Sequence, residues 1–86
     1  MKRIHFIGIG GSGLSAIARL LKESGYEVTG SDRALSSFAA DLQNEGISVY
    51  VGHHPRNVGG ADLVIRSSAI GDDNPEVDAA KRAGIP

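Results

Sequence analysis

An α/β fold, an open parallel sheet with helices on both faces, is what this sequence predicts. Three observations carry the expectation. A short apolar run, Ile4 to Ile9, reads as a strand buried on both faces and ends among glycines. The hydrophobic period then changes, because Leu14, Ile17, Ala18 and Leu21 recur at helical spacing. β-rich runs and helical stretches keep alternating along the rest of the chain, the order expected of parallel strands joined by crossover helices.

The elements follow in turn. A helix opens at Ser12 and stops at Gly25, a C′ glycine. Glu27 to Gly30 is a second strand with Asp32 at its carboxyl end. Ser36 to Glu45 is a second helix, with Phe38 and Leu42 on one face and Gly46 as its stop. Ile47 to Val51 alternates and is β-rich, and Gly52-His53-His54-Pro55 is a loop. A fourth strand lies within Asp62 to Ala69, centred on Leu63, Val64 and Ile65. Asn74-Pro75-Glu76 starts a third helix, with Asn as N-cap, Pro at N1 and an acid in the first turn. It runs to about Ala83, and Ile85-Pro86 opens a further strand. Right-handed crossovers order the strands 3-2-1-4, with a fifth beside the fourth. The chain reads as one domain, residues 1–86, and as a fragment of a longer protein.

Composition narrows the function. Nine basic and ten acidic residues are scattered along the chain, and no basic run marks a nucleic-acid footprint. Phe6, Tyr26, Phe38 and Tyr50 are isolated, so no aromatic platform for RNA forms. Cysteine is absent, which excludes disulfides and thiolate metal sites. No apolar stretch approaches the roughly 20 residues of a membrane span. A cytoplasmic protein is the expectation.

The chemistry concentrates in the glycine loop. Gly8-Ile9-Gly10-Gly11-Ser12-Gly13 is a G-x-G-x-x-G between a strand and a helix. In that motif Gly8 permits the tight turn, Gly10 lets the backbone approach a diphosphate, and Gly13 lets the helix pack close to the strand. The helix start offers free N–H groups and partial positive charge to phosphates. A glycine-rich turn without ligand is the plain alternative. Asp32 stands where the fingerprint expects a ribose-binding acid about 20 residues further on; otherwise it is a turn residue or forms an Asx-turn with Ser31. Together these two motifs describe an NAD-binding module of an oxidoreductase.

Ser67-Ser68-Ala69-Ile70 closes the fourth strand beside the switch point, where ligands bind in open α/β sheets. Its hydroxyls meet a ligand or bond within their own turn. Asn74 reads as a helix cap. His53 and His54 point to opposite sides of an extended segment and make no joint chelate, so no metal site is expected. Either His53 borders a nucleotide or both rings sit on a surface loop. His5 is a packed or edge residue. The chain has no G-x-x-x-x-G-K-[ST], Ser-His-Asp arrangement or carboxylate pair, so it reads as a binding module with no catalytic residue of its own.

The stretch His5-Phe6-Ile7-Gly8-Ile9-Gly10-Gly11-Ser12-Gly13-Leu14-Ser15 resembles the amino-terminal signature of the Mur ligases. Gly30-Ser31-Asp32, Gly52-His53, Ser67-Ser68-Ala69-Ile70 and Asn74-Pro75-Glu76-Val77 match the same pattern in order, so the resemblance covers the whole chain. It implies a Rossmann-like first domain that holds a UDP-sugar instead of NAD. The residues it assigns to that ligand are Gly8, Gly10, Gly11, Ser12, Gly13, Ser31, Asp32, His53, Ser67, Ser68 and Ala69. It further implies a central ATPase domain and a carboxyl-terminal domain elsewhere in the same protein, with ATP and Mg2+ as cofactors there and none in this domain. The implied reaction, in peptidoglycan biosynthesis, joins L-alanine to the lactyl carboxylate of UDP-N-acetylmuramate through an acyl phosphate. A related branch that recycles murein tripeptide shares the plan, and Gly10-Gly11 favours the L-alanine branch. The doubled histidine His53-His54 departs from the family's single histidine.

Overall fold

The alternation of periods resolves, in a computed structural model describing residues 2–86, into four strands and three α-helices. They are β1 (Arg3–Ile7), α1 (Ser12–Glu23), β2 (Glu27–Asp32), α2 (Ser37–Asn44), β3 (Ser48–Val51), β4 (Leu63–Arg66) and α3 (Pro75–Arg82). A 3-10 turn, Pro55–Val58, stands where the sequence reads as loop. His54 nucleates it by accepting the Arg56 N–H on its ring Nδ1.

All pairings are parallel and the order is β3-β2-β1-β4, as the crossover rule requires. Ile85-Pro86 is not assigned as a strand, but the Pro86 carbonyl accepts the Val64 N–H at 2.9 Å on the far side of β4 from β1. β4 stops earlier than its sequence reading because the chain turns at Ser67, where the Ile70 N–H donates to the Ser67 carbonyl.

Register decides what each face of the sheet holds. Ile4 aligns with Val28 and Leu63, and Phe6 with Gly30 and Ile65. Aligned residues share a face. Ile4, Phe6 and Val28 pack with Ile9, Ala18, Leu42 and Ile47 into the main core beneath α1 and α2. The opposite face carries the alternate positions. His5 aligns with Thr29, and Ile7 with Ser31. His5, Ile7 and Ser31 are fully buried there, and His5 and Ser31 meet Glu76 of α3.

Two helix-face readings shift. α1 rests on Leu14, Ser15, Ala18 and Leu21, while Ile17 is left exposed. Ser15 completes that strip because the contact centres on Ala18, from which Ile17 lies about a quarter turn away. α2 buries Ala39 and Leu42, and Phe38 faces solvent. The helix ends follow the sequence. Each of the three helices closes with a positive-φ glycine at C′ and a Schellman bond from the next residue: Tyr26 to Leu21, Ile47 to Leu42 and Ile85 to Ala80.

Candidate functional site

The three helix starts are unequal. Ser36 caps α2 by accepting the Ala39 N–H, and Asn74 caps α3 by accepting the Glu76 N–H, the role its sequence position suggests. α1 begins at Gly11 with no side-chain cap. Among the described residues, the N–H groups of Ser12, Gly13 and Leu14 have no protein acceptor. Open N–H groups at a helix start bind anions. Gly11, Ser12 and Gly13 are exposed there.

The glycine loop itself is held from three sides. The Ser31 carbonyl accepts both the Gly8 N–H at 2.8 Å and the Ile9 N–H at 3.0 Å. Asp32 Oδ2 accepts the Gly10 N–H at 2.8 Å, and the Ser36 hydroxyl donates to the Gly10 carbonyl at 3.0 Å. Gly8 takes a φ of 85°, the turn the motif demands. A Cβ at Gly10 would stand 2.7 Å from Ser36 Oγ and 2.8 Å from Asp32 Oδ2. Gly10 is therefore dictated within the protein by the clamp that fixes its peptide. Asp32 serves the loop too, and its Oδ1 accepts the Arg33 N–H.

The motif's third glycine plays a different part from the one expected. A Cβ at Gly13 meets nothing within 4 Å, so this residue does not mediate close helix–strand packing. The tight approach is instead between the loop and β2, at Gly30, where a Cβ would collide with the Ile9 side chain. The Ile9 side chain fills the space above β2 and leaves no room for one there.

The loop after β4 lies against the glycine loop. A Cβ on Gly8 would come within 3.0 Å of Ser67 Cβ and 3.3 Å of Ile70. Ser67 N–H donates to Ile7, and its hydroxyl accepts the Ala69 N–H, so this side chain bonds within its own turn. Ser68 and Ala69 are exposed. Gly8–Gly13 and Ser67–Ala69 thus meet at the carboxyl edge between β1 and β4, the switch point of the sheet.

Ser31 does not line this cleft. It is fully buried, and its hydroxyl donates to Glu76 Oε1 at 2.7 Å. Glu76 is the group that sequence reading misses. Fully buried, it gathers His5 Nε2 at 2.6 Å on Oε1, and the His54 N–H and Asn57 Nδ2, each at 3.0 Å, on Oε2. His53 Nδ1 lies 3.3 Å from the same Oε2 and 3.0 Å from Ser31 Oγ. Burial pushes the Glu76 carboxyl up, but hydrogen bonds from His5, Asn57, Ser31 and the His54 N–H outweigh it and hold its pKa at about 2. His5 is thereby a packed residue of a central strand, its Nδ1 meeting Thr29 Oγ1 at 2.7 Å. A sequence signal existed: a histidine inside an apolar strand needs a polar partner once buried. Among the described residues no three His, Cys, Asp or Glu side chains gather as a metal site requires.

The doubled histidine separates into two roles. His54 is exposed and starts the 3-10 turn. His53 joins the buried network through Nδ1, with its side chain 16% exposed. A concavity of about 1080 Å³ lies over β2 and β3 and takes in His53 but no part of the glycine loop. Among the described residues no helix is long and apolar enough to cross a membrane.

Comparison with known proteins adds sequence relationship to this geometry. The family model described as "Mur ligase family, catalytic domain" matches residues 3–86. A UDP-N-acetylmuramate–L-alanine ligase of Persephonella marina is 52% identical over 86 residues, covering 100% of this chain and 19% of the relative. The crystal structure of a UDP-N-acetylmuramate–alanine ligase from Thermotoga maritima superposes with a TM-score of 0.96 at 40% identity, over 100% of this chain and 20% of that one. A murein peptide ligase from Psychrobacter arcticus gives a TM-score of 0.90 at 25% identity, over 99% of this chain and 18% of that one. The chain spans about a fifth of the length of the relatives it matches.

Proposed function

This chain belongs to the Mur ligase family, and on that premise we propose that it is the nucleotide-sugar-binding part of an enzyme that joins L-alanine to UDP-N-acetylmuramate. The observation that carries this reading is identity of about half over the whole chain to ligases of that name. The uncapped start of α1 supports it. Its open N–H groups suit a diphosphate, and the exposed Ser68 and Ala69 adjoin it across the switch point. Asp32 and Ser36 hold the loop in the conformation that presents those groups.

The amide-forming chemistry would need ATP and Mg2+, which supply an activated acyl phosphate when bound. The residues here do not fit them. The glycine loop lacks the lysine of an ATP cradle, and among the described residues no carboxylate cluster offers a magnesium site. The part of these 86 residues is to hold and orient the UDP-sugar, with activation on the remainder of a longer chain.

Calorimetric titration of the chain with UDP-N-acetylmuramate and with NAD, side by side, tests the reading. Saturable binding of the UDP-sugar and none of NAD is expected. Binding of NAD alone would return the glycine loop to an oxidoreductase module. Gly10→Val, which drives a side chain into the Asp32–Ser36 clamp, should abolish UDP-sugar binding. A folded variant with unchanged affinity would contradict the role given to the loop.

A further inference from the structure

We propose that Glu76 is a positioning residue: it fixes His53 as the Nδ1–H tautomer, so that the ring presents a bare Nε2 lone pair to a hydrogen-bond donor of the nucleotide-sugar. The ligand half of this inference rests on the function proposed above. The tautomer half rests on counting protons.

Ser31 has one hydroxyl proton, and that proton goes to Glu76 Oε1 at 2.7 Å. Its oxygen can therefore only accept from His53 Nδ1, 3.0 Å away. The other neighbour of Nδ1, Glu76 Oε2 at 3.3 Å, is a carboxylate oxygen and also only accepts. Both groups facing Nδ1 are acceptors, so Nδ1 carries the proton. In a neutral imidazole the other nitrogen is then bare. Among the described residues Nε2 has no partner, and the side chain is partly exposed.

The remaining donors keep the carboxylate from turning away. His5 Nε2 and Ser31 occupy Oε1, while the His54 N–H and Asn57 Nδ2 occupy Oε2. An ionised carboxylate has about four acceptor positions, and this one is saturated from β1, β2, the loop after β3 and the 3-10 turn. The His54 N–H and Asn57 contacts also brace the segment that carries His53. A ring so fixed discriminates by sign: it takes an O–H or N–H from the ligand and offers no proton in return. The UDP-sugar supplies such donors in its ribose hydroxyls, its uracil N–H and its sugar hydroxyls.

Long-range 1H–15N spectra of the 15N-labelled chain at about pH 8, above the ordinary imidazole pKa, read the tautomer directly. His53 should show a protonated Nδ1 and a bare Nε2. Glu76→Gln places a donor NH2 where only acceptors stood and should move His53 towards the Nε2–H form. A wild-type Nε2–H ring overturns the proposal, as does a folded Glu76→Gln chain with the tautomer unchanged. His53→Ala tests the ligand half without altering Glu76. UDP-N-acetylmuramate affinity should fall about 3- to 10-fold, the value of one neutral hydrogen bond. Uridine diphosphate titrated alongside separates the sources. A loss seen with both ligands places the donor on the nucleotide, and a loss confined to the full ligand places it on the sugar. Unchanged affinity in His53→Ala overturns the ligand half. A wild-type chain that binds no UDP-sugar overturns the function proposed above and the ligand half with it, while the tautomer assignment is decided by the spectra alone.

Discussion

The two faces of the sheet are buried by different means. Beneath α1 and α2, Ile4, Phe6, Ile9, Val28, Leu42 and Ile47 exclude water by apolar packing. On the opposite face the centre is polar, where His5, Ser31 and Glu76 are just as fully buried. That side holds only because each polar atom is matched, and among the described residues no buried side-chain N or O lacks a partner. The apolar face tolerates change in proportion to volume. The polar face tolerates change only when donors and acceptors still balance, because an unmatched buried group costs its full desolvation. The first face stabilises the domain, and the second also sets the orientation of a side chain at the carboxyl edge.

The contrast can be broken most directly at its apolar centre. Phe6→Ala should cost about 3–5 kcal/mol, a large share of the stability of a domain this size. Chemical denaturation measures it, and a loss under about 1 kcal/mol would mean the core closes over the gap. The loss should be the same at neutral and acid pH, since no titratable group touches the effect.

The polar face should behave otherwise. The Glu76 pKa falls from 4.5 to about 2 on folding. A depressed carboxyl contributes stability that is complete above its unfolded pKa and is lost as pH falls through the folded one. The window is therefore between about pH 4.5 and pH 2, and the contribution is on the order of 3 kcal/mol. Glu76→Gln should be destabilised by about 2 kcal/mol at neutral pH and converge with the wild type near the bottom of that window. Parallel stability–pH curves for the two proteins would show that the carboxylate charge does not hold this face.

A third comparison locates the tight point of the apolar side. Gly30→Ala sets a Cβ against Ile9 and should cost about 1–3 kcal/mol as Ile9 shifts. Gly13→Ala meets no neighbour and lies in the first turn of α1, so it should be neutral or stabilise by up to about 1 kcal/mol. Equal thermal shifts for the two variants would dissolve the distinction between them.

What sequence could and could not reveal follows the same division. Strand order, helix starts and helix stops are local or topological matters, and Gly25, Gly46, Gly84 and Asn74 sit where those rules put them. Burial of particular side chains is tertiary. Ile17 and Phe38 share the period of their helices yet face solvent, because short helices rest on small residues such as Ala18 and Ala39. Glu76 stayed hidden because an acid after Asn-Pro is fully explained by the helix dipole. Nothing local says that this acid meets His5, far away along the chain, under a sheet. The spacing of G-x-G-x-x-G assigns close helix–strand packing to Gly13, which has no near neighbour, and the tight glycine contact in the structure is a different one, between Gly30 of β2 and Ile9 of the loop. The dinucleotide fingerprint points Asp32 at a ribose and the family resemblance points Ser31 at the UDP-sugar, and in the structure Asp32 Oδ2 accepts the Gly10 N–H while Ser31 is fully buried at the end of β2.

Ser31 joins the two systems in one residue. Its hydroxyl belongs to the Glu76 network, and its carbonyl holds the amides of Gly8 and Ile9. Disturbing the carboxylate loosens the hydroxyl, and the peptide that follows it carries both amides. Deuterium uptake at those two positions is thus a built-in gauge of a carboxyl group that lies beneath the sheet. In a chain without tryptophan, where indole fluorescence offers no signal, this pair of amides is the native reporter by which events on the hidden face become visible at the glycine loop.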